Sequence, residues 1–235
     1  DKNNLIIIAA EAILRELEEK RGTDNIPELW VNVQKKLPVA AGIAGGSGNA
    51  AITILGINAL AGNIFTLEEL MKIGENVGAD VPFSIFMNAK KNEDKLQGLQ
   101  GIERASVSAE ISGVGEIVKA IDPIHCYTII INPGIEVSTK EVYQGIDRIT
   151  DKEDKIDLFT NQLEKYTLEK YEEAATLKRA MQENLNAEVV LMSGSGPTMV
   201  AYYKNFDEAK NDFDQIKDSK WFLNKYRCWL AETGC

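Results

Sequence analysis

The sequence predicts an α+β fold, because helix-forming and strand-forming patterns follow one another along the chain with a few hairpins. Apolar residues at positions 5, 6, 9, 13 and 17 recur with helical spacing and predict an amphipathic helix over about residues 5–20. Two strand-like runs, 187–192 and 198–203, flank a glycine-rich turn and predict a β-hairpin. The segment 37–51 is rich in glycine and carries no charge, which is typical of a loop that serves through its backbone. The glycines at 42, 45, 46 and 48 are expected to let the main chain take positive φ and approach a ligand closely.

The other elements are predicted from the same kinds of signal. Thr66 with Glu69, and Ser138 with Glu141, have the spacing of a capping box that starts a helix. The polar stretch 88–104 has no period and is predicted to be a surface loop. In chain order the remaining predictions are a strand at about 29–35, helices at about 50–61 and 67–77, a turn at Asp80, a strand at 127–132, helices ending near 146, at about 156–183 and at about 205–217, and a strand or short helix within 221–230.

Composition limits the classes of function. The net charge of −10 argues against nucleic acid as a partner, since binding to a polyanion depends on clustered lysine and arginine. No apolar run reaches the roughly 18 residues of a membrane span, and the first residues lack the pattern of a signal peptide. The cysteines at 126, 228 and 235 form no CxxC pair, so neither a disulfide framework nor a zinc site is expected. These observations predict a soluble cytoplasmic protein without a membrane partner.

The glycine-rich segment is the strongest functional signal. Its backbone amides, followed by a helix that residues 49–51 are expected to open, suit a bound phosphate. A Walker loop is excluded because no lysine lies between Lys36 and Lys72. A dinucleotide fingerprint is excluded because residues 66–69 start a helix where a second strand is required. Taken alone, the segment is also compatible with a strand-to-helix turn that binds nothing.

Three motifs, in order along the chain, resemble those of the GHMP kinases, a family of small-molecule kinases. Residues 38–51 resemble the phosphate loop of the family, residues 78–83 its aspartate motif, and residues 192–198 its C-terminal glycine motif. Taken singly, Asp80 is compatible with a structural turn or cap, and residues 194–196 with a hairpin turn. Their occurrence together favours the kinase interpretation. Weaker similarities are found at Asn4-Leu5, 113–117 and 133–139.

The resemblance implies a two-lobed fold, with an N-terminal lobe like domain 2 of ribosomal protein S5 and a ferredoxin-like C-terminal lobe. We expect these lobes at residues 1–122 and 123–235. Family members begin with strands that carry a lysine paired with the catalytic aspartate and a Gly-Tyr-His segment that contacts a cytosine ring. We find no counterpart to these strands, so the sequence is interpreted as an N-terminally truncated form of the fold.

The branch that it resembles most phosphorylates the 2-hydroxyl of 4-diphosphocytidyl-2-C-methyl-D-erythritol, in the non-mevalonate isoprenoid pathway, with ATP and Mg²⁺. The resemblance implies that Asp80 accepts or orients the hydroxyl proton. It assigns ATP binding to Pro38, Val39, Ala40, Ala41, Gly42, Ile43, Ala44, Gly45, Gly46, Ser47 and Gly48. It assigns the substrate or phosphate side to Asn49, Gly194, Ser195 and Gly196. No residue is assigned directly to a metal, since Mg²⁺ is expected to arrive with ATP, with Ser47 as a candidate contact.

Two alternatives remain open at this point. One is another GHMP kinase, acting on homoserine or a mevalonate-type alcohol, and the other is a non-catalytic remnant of the fold that still binds a nucleotide. Gly48 stands where the branch usually has a second serine, so one hydroxyl of the loop is missing. The expected partner is a small-molecule substrate. We expect a monomer or homodimer in the bacterial cytosol, or in the plastid stroma if the source is a plant or alga.

Overall fold

The first part of the chain is mainly helical, and the second part combines helices with a four-stranded sheet. The computed structural model describes residues 4–22, 28–39, 41–147 and 159–234. By their packing, these residues divide into two units. The first comprises the residues up to Lys36 together with Ala44–Ile124, and the second comprises Leu37–Ile43 together with the residues from His125 onward. The mixture of helices and an antiparallel sheet confirms the α+β prediction. Among the described residues, no helix is long and apolar enough to cross a membrane.

Four helices and one hairpin make up the first unit. The helices are α1 (Leu5–Arg21), α2 (Gly45–Leu60), α3 (Leu67–Glu75) and α4 (Val81–Lys91), and the hairpin consists of β1 (Ala109–Ser112) and β2 (Ile117–Ala120). The helices share one apolar core. The predicted amphipathic face of α1 is confirmed, because it buries Ile6, Ala9, Ile13 and Leu17. The predicted capping box of α3 is also confirmed.

The second unit is built on a four-stranded antiparallel sheet with the strand order β4-β5-β3-β6. Its elements, in chain order, are β3 (Cys126–Asn132), α5 (Thr139–Ile146), α6 (Glu164–Lys170), α7 (Glu172–Asn184), β4 (Val189–Met192), β5 (Met199–Tyr203), α8 (Phe206–Ile216) and β6 (Arg227–Thr233). This β-α-β-β-α-β arrangement, with the first and third strands central, is the ferredoxin-like topology that we expected for the C-terminal lobe. The β4–β5 hairpin around Gly194 is confirmed.

The strand predicted at 29–35 is wrong. Residues 28–36 have no regular secondary structure, and the side chains from Trp30 to Leu37 are exposed. The alternation of apolar and polar residues in this segment is typical of a strand, but a strand also requires a hydrogen-bonded neighbour. Among the described residues, no strand pairs with this segment.

The start of α2 also differs from the prediction. The helix begins at Gly45, five residues before the predicted start at residue 50, so residues 49–51 do not open it. Glycine has a poor helix propensity, which is why sequence rules place the start at the following alanines. Burial of Ala50, Ala51 and Ile54 stabilises the helix strongly enough for its first turn to contain glycines.

Two further predictions were too simple. The loop expected at 88–104 contains the last turn of α4 and a short 3-10 helix at Ile102–Arg104, and it buries Leu96 and Leu99 in the core. The long helix expected at about 156–183 is instead two helices, because Tyr171 is extended, with φ −112° and ψ 96°. The start of that prediction, 156–158, lies outside the described residues.

Candidate active site

One candidate binding region, in the first unit, is the N-terminus of α2. The first hydrogen bond at this end runs from the Gly48 amide to the Ala44 carbonyl at 2.9 Å. Helix geometry therefore leaves the amides of the preceding residues without an intrahelical acceptor. Ala44 has a left-handed backbone, with φ 48°, and its side chain makes no capping bond, while the first turn contains no acidic residue. These amides, with the positive end of the helix dipole, form a binding surface suited to an anion.

The glycines of this first turn leave space beside the amides. A Cβ atom added at Gly45 or Gly48 would meet nothing within 4 Å, whereas one at Gly46 would lie 3.2 Å from Leu5 Cδ1. None of these three glycines has a positive φ, so the left-handed backbone predicted for them is wrong. At Gly45 and Gly48, the missing side chain keeps the helix terminus accessible. Ser47, in the same turn, and Asn49, in the next, are both half-buried.

Another candidate region lies within the second unit, where Gly42 packs on the glycine turn at residues 194–196. Gly42 has φ +72°, and a Cβ there would lie 2.4 Å from Ser193 O and 2.7 Å from Gly196 O. The Ser193 hydroxyl donates to the Gly42 carbonyl at 2.8 Å. A Cβ added at Gly194 would lie 3.1 Å from the same carbonyl. Gly42 is therefore the loop glycine whose backbone conformation and packing both exclude a side chain.

The structure thus brings two predicted motifs together. Gly42 and the 194–196 turn are adjacent in space although they are far apart in sequence. The predicted loop residues divide between the units, with Pro38 to Ile43 in the second and Ala44 to Asn49 in the first. Ala41 is buried, Pro38 and Ile43 are half-buried, and Val39 is exposed, while Ala40 lies outside the described residues.

Asp80 lies in the first unit, immediately before α4, and is exposed. Its side chain makes no capping hydrogen bond, and its carbonyl accepts from the Ser84 amide at 3.1 Å and the Ser84 hydroxyl at 2.7 Å. The carboxylate of Asp80 therefore does not cap the helix, whereas the turn predicted at this residue is present. A carboxylate at this helix end is stabilised by the helix dipole and remains available to a ligand.

The turn of the β1–β2 hairpin packs against the backbone just before Asp80. Gly115 in this turn has φ +113°, and a Cβ there would lie 2.2 Å from the carbonyl oxygen of Ala79. The neighbouring Glu116 carboxylate accepts from the Val114 amide at 2.7 Å and closes the turn. The weak motif at 113–117 therefore has a structural counterpart, because the turn restricts the position of the residue that precedes Asp80.

Sequence reasoning missed the residues that hold the glycine turn from outside. Asn132 Nδ2 donates to Thr198 Oγ1 at 2.9 Å, and Thr139 Oγ1 lies 2.9 Å from Ser195 Oγ. Asn161 and Glu164 bond the backbone of the same turn. For Asn161 and Glu164, the signal in the sequence is a run of polar residues around the start of a helix, which is also the pattern of a solvated helix end.

Two parts of the chain match models of a known family. Residues 4–88 match the GHMP kinases N terminal domain, and residues 146–221 match the GHMP kinases C terminal domain. The chain belongs to the GHMP kinases.

Two curated relatives carry the same name. A protein of Clostridioides difficile named 4-diphosphocytidyl-2-C-methyl-D-erythritol kinase is 32% identical over 97% of this GHMP kinase and 72% of the relative. A protein of Geobacter metallireducens with the same name is 33% identical over 94% of this chain and 74% of the relative. Among solved structures, a 4-(cytidine 5'-diphospho)-2C-methyl-D-erythritol kinase has a similar fold, with a TM-score of 0.70 at 23% identity over 97% of this chain and 78% of that one. A homoserine kinase from Cytophaga hutchinsonii shares the fold less closely, with a TM-score of 0.57 at 16% identity over 98% of this chain and 76% of that one.

Proposed function

We propose that this GHMP kinase transfers the γ-phosphoryl group of ATP to the 2-hydroxyl of 4-diphosphocytidyl-2-C-methyl-D-erythritol. The observation that carries the proposal is the similarity to curated kinases of that name along nearly the whole chain. The activity is that of an ATP-dependent small-molecule kinase in isoprenoid precursor synthesis. The expected division into lobes at 122/123, the cytoplasmic location, the absence of nucleic-acid and membrane partners, and the monomeric or dimeric state stay predictions.

The phosphates of ATP are assigned to the start of α2. Three features support this assignment: first-turn amides without an intrahelical acceptor, open space at Gly45 and Gly48, and the lack of an acidic residue in that turn. The Ser47 hydroxyl adds a neutral donor there. We assign to residues 38–43 the role of holding the backbone that leads into α2, because Gly42 is hydrogen-bonded to the glycine turn and does not present an open surface.

We assign to Asp80 the role of accepting or orienting the proton of the attacking hydroxyl. Phosphoryl transfer depends mainly on positioning and on stabilisation of charge, so a carboxylate beside the hydroxyl serves as base or as orienting acceptor. Two observations support the choice: the carboxylate is exposed and makes no capping bond, and the hairpin turn at Gly115 restricts the backbone that carries it. Asn49, Gly194, Ser195 and Gly196 are assigned to the substrate or phosphate side.

Magnesium fits this chain as a companion of ATP. Among the described residues, no group of three or more His, Cys, Asp or Glu side chains could hold a metal ion. A Mg²⁺ ion that binds mainly through nucleotide phosphates needs few protein ligands, and Ser47 is the candidate contact in the α2 turn. When bound, the ion would neutralise charge that develops on the phosphates.

The direct test is ADP release in a coupled assay with Mg²⁺-ATP and 4-diphosphocytidyl-2-C-methyl-D-erythritol. A reaction without the alcohol substrate measures background ATP hydrolysis. Parallel reactions with homoserine and with mevalonate test the other GHMP activities. Turnover with the cytidylyl substrate alone would support the proposal, and turnover with another alcohol would reassign the substrate. A folded sample that binds ATP without turnover on any of the three would contradict kinase activity and leave a nucleotide-binding remnant.

A further inference from the structure

The glycine turn between β4 and β5 is held by a side chain from a distant part of the second unit. Asn161 Nδ2 donates to the Met192 carbonyl at 2.7 Å and to the Gly194 carbonyl at 2.8 Å. Its Oδ1 accepts from the Leu163 amide at 3.0 Å, which fixes the orientation of the amide group. Every polar atom of this side chain is therefore used, and both of its donors face the turn.

Two neighbours of Asn161 act on the same segment. Glu164, the first residue of α6, accepts from the Met192 amide at 2.8 Å through Oε1, and its other oxygen pairs with Lys178. Thr167, one turn later and fully buried, donates to the Ser195 carbonyl at 3.2 Å. The segment from 161 to 167 therefore bonds backbone groups of residues 192, 194 and 195.

The turn itself has little intrinsic rigidity. Gly194 and Gly196 both have left-handed backbones, with φ +53° and +82°, and glycine has more freedom in the unfolded chain than any other residue. Two internal bonds close the turn, from Ser193 N to Thr198 O and from Gly196 N to Ser193 O, each at 2.9 Å. Bonds from outside the turn are therefore needed to hold one conformation.

We propose that Asn161 is a positioning residue for phosphoryl transfer, which sets the conformation of the 193–196 turn through its two donated hydrogen bonds. The inference rests on the proposed function, because the turn affects turnover only if residues 194–196 contact substrate. Asn161 itself touches no substrate in this scheme. Loss of the Asn161 side chain should loosen the turn directly. It should then raise the KM of the substrate that the turn contacts.

A matched control is available at the opposite end of β4. Asn186 lies before β4, whereas Asn161 bonds the last residue of that strand and the turn after it. Asn186 Nδ2 donates to Asp212 Oδ1 at 2.9 Å. Asn161→Ala and Asn186→Ala therefore each remove one hydrogen-bonded side-chain amide from the same unit. Only the first removes bonds to the glycine turn.

The test is amide hydrogen exchange of peptides covering residues 193–198, with steady-state kinetics on the same full-chain variants. Loss of two hydrogen bonds to the turn should speed exchange at Ser193 and Gly196 about tenfold or more in Asn161→Ala, and leave it unchanged in Asn186→Ala. The KM for the alcohol substrate should rise about tenfold in the first variant only. The KM for ATP should stay within about twofold in both, because the phosphate amides belong to α2.

Unchanged exchange at 193–198 in Asn161→Ala would overturn the inference, as would a KM effect equal to that of Asn186→Ala. If Asn161→Ala does not fold, Thr167→Val removes a single bond to the Ser195 carbonyl with little change in volume, and a smaller increase in the same exchange is expected. Exchange does not depend on activity. A faster-exchanging turn in a protein that does not turn over the cytidylyl substrate would therefore contradict the proposed function while supporting the role of Asn161 in holding the turn.

Discussion

Gly45→Ala separates the effect of the glycine on folding from its effect on ATP. In the protein alone, a Cβ at residue 45 meets nothing within 4 Å, so the added methyl group needs no rearrangement. Alanine in a helix is favoured over glycine by about 0.5–1 kcal/mol, so the free energy of unfolding should stay the same or rise. If a phosphate of ATP lies against the first-turn amides, the same methyl group occupies part of its space.

The expected loss of ATP affinity follows from the cost of overpacking. An extra methyl group in a closely packed site costs about 1–3 kcal/mol. At 1.4 kcal/mol for each factor of ten, the Kd for Mg²⁺-ATP should rise about 5- to 140-fold. Isothermal titration calorimetry with Mg²⁺-ATP measures this change, and urea unfolding of the same samples measures stability.

The matched control is Gly56→Ala, in the same helix. Gly56 is exposed, and a Cβ there also meets nothing within 4 Å. This variant should gain similar stability, about 0.5–1 kcal/mol, with the Kd for ATP unchanged. If Gly45→Ala binds ATP as tightly as the Gly56 variant while both are folded, the phosphates do not lie against the start of α2, and the assignment of this site is refuted.

Three further predictions concern other residues. Asp80→Asn should keep ATP binding and lower kcat about 10²- to 10⁴-fold, as expected for loss of a positioned base; near-normal turnover in a folded variant would remove Asp80 from its assigned role. Gly115→Ala should lose about 1–3 kcal/mol more stability in urea than Gly62→Ala, because a Cβ at Gly115 would lie 2.2 Å from Ala79 O whereas Gly62, also at positive φ, has open space. Gly115→Ala should also lower kcat. Equal stability and kcat in the two variants would contradict the close approach of Gly115 to Ala79. Burial raises the pKa of Cys228 to about 12 from an ordinary value of 9.0. At pH 8 its thiolate fraction, and therefore its rate of labelling by iodoacetamide, should be about 10³-fold lower in the native protein than in urea. Rapid labelling of the native protein, measured by peptide mass spectrometry, would show that the thiol is not protected.

Much of the architecture could be predicted from local signals. The amphipathic face of α1, the capping box of α3, the apolar strand β3 and the hairpin around Gly194 each depend on residues close in sequence, and each is confirmed. The family could be recognised for a similar reason. Its motifs are short and local, and their order along the chain is visible without any knowledge of packing.

The failures have a common physical cause, which is that their outcome depends on partners far along the chain. Residues 29–35 alternate as a strand does but have no described strand beside them. Tyr171 interrupts a helical pattern, and its hydroxyl lies 3.4 Å from a carboxylate oxygen of Glu141. Leu96 and Leu99 lie in a polar stretch and are nevertheless buried.

The sequence by itself determined which residues are candidates for phosphate binding and catalysis, because glycine clusters and a lone aspartate are visible as residue types in a recognisable order. Only the tertiary structure decided what each one does. Four loop glycines look equivalent in sequence, yet Gly42 is required by contact with Ser193 and Gly196 whereas Gly45 and Gly48 face open space. The role of Asn161 was likewise invisible, since the carbonyls that it bonds lie 31 and 33 positions away. Local sequence encodes propensity, whereas steric exclusion and hydrogen bonding across such separations exist only once the chain is folded.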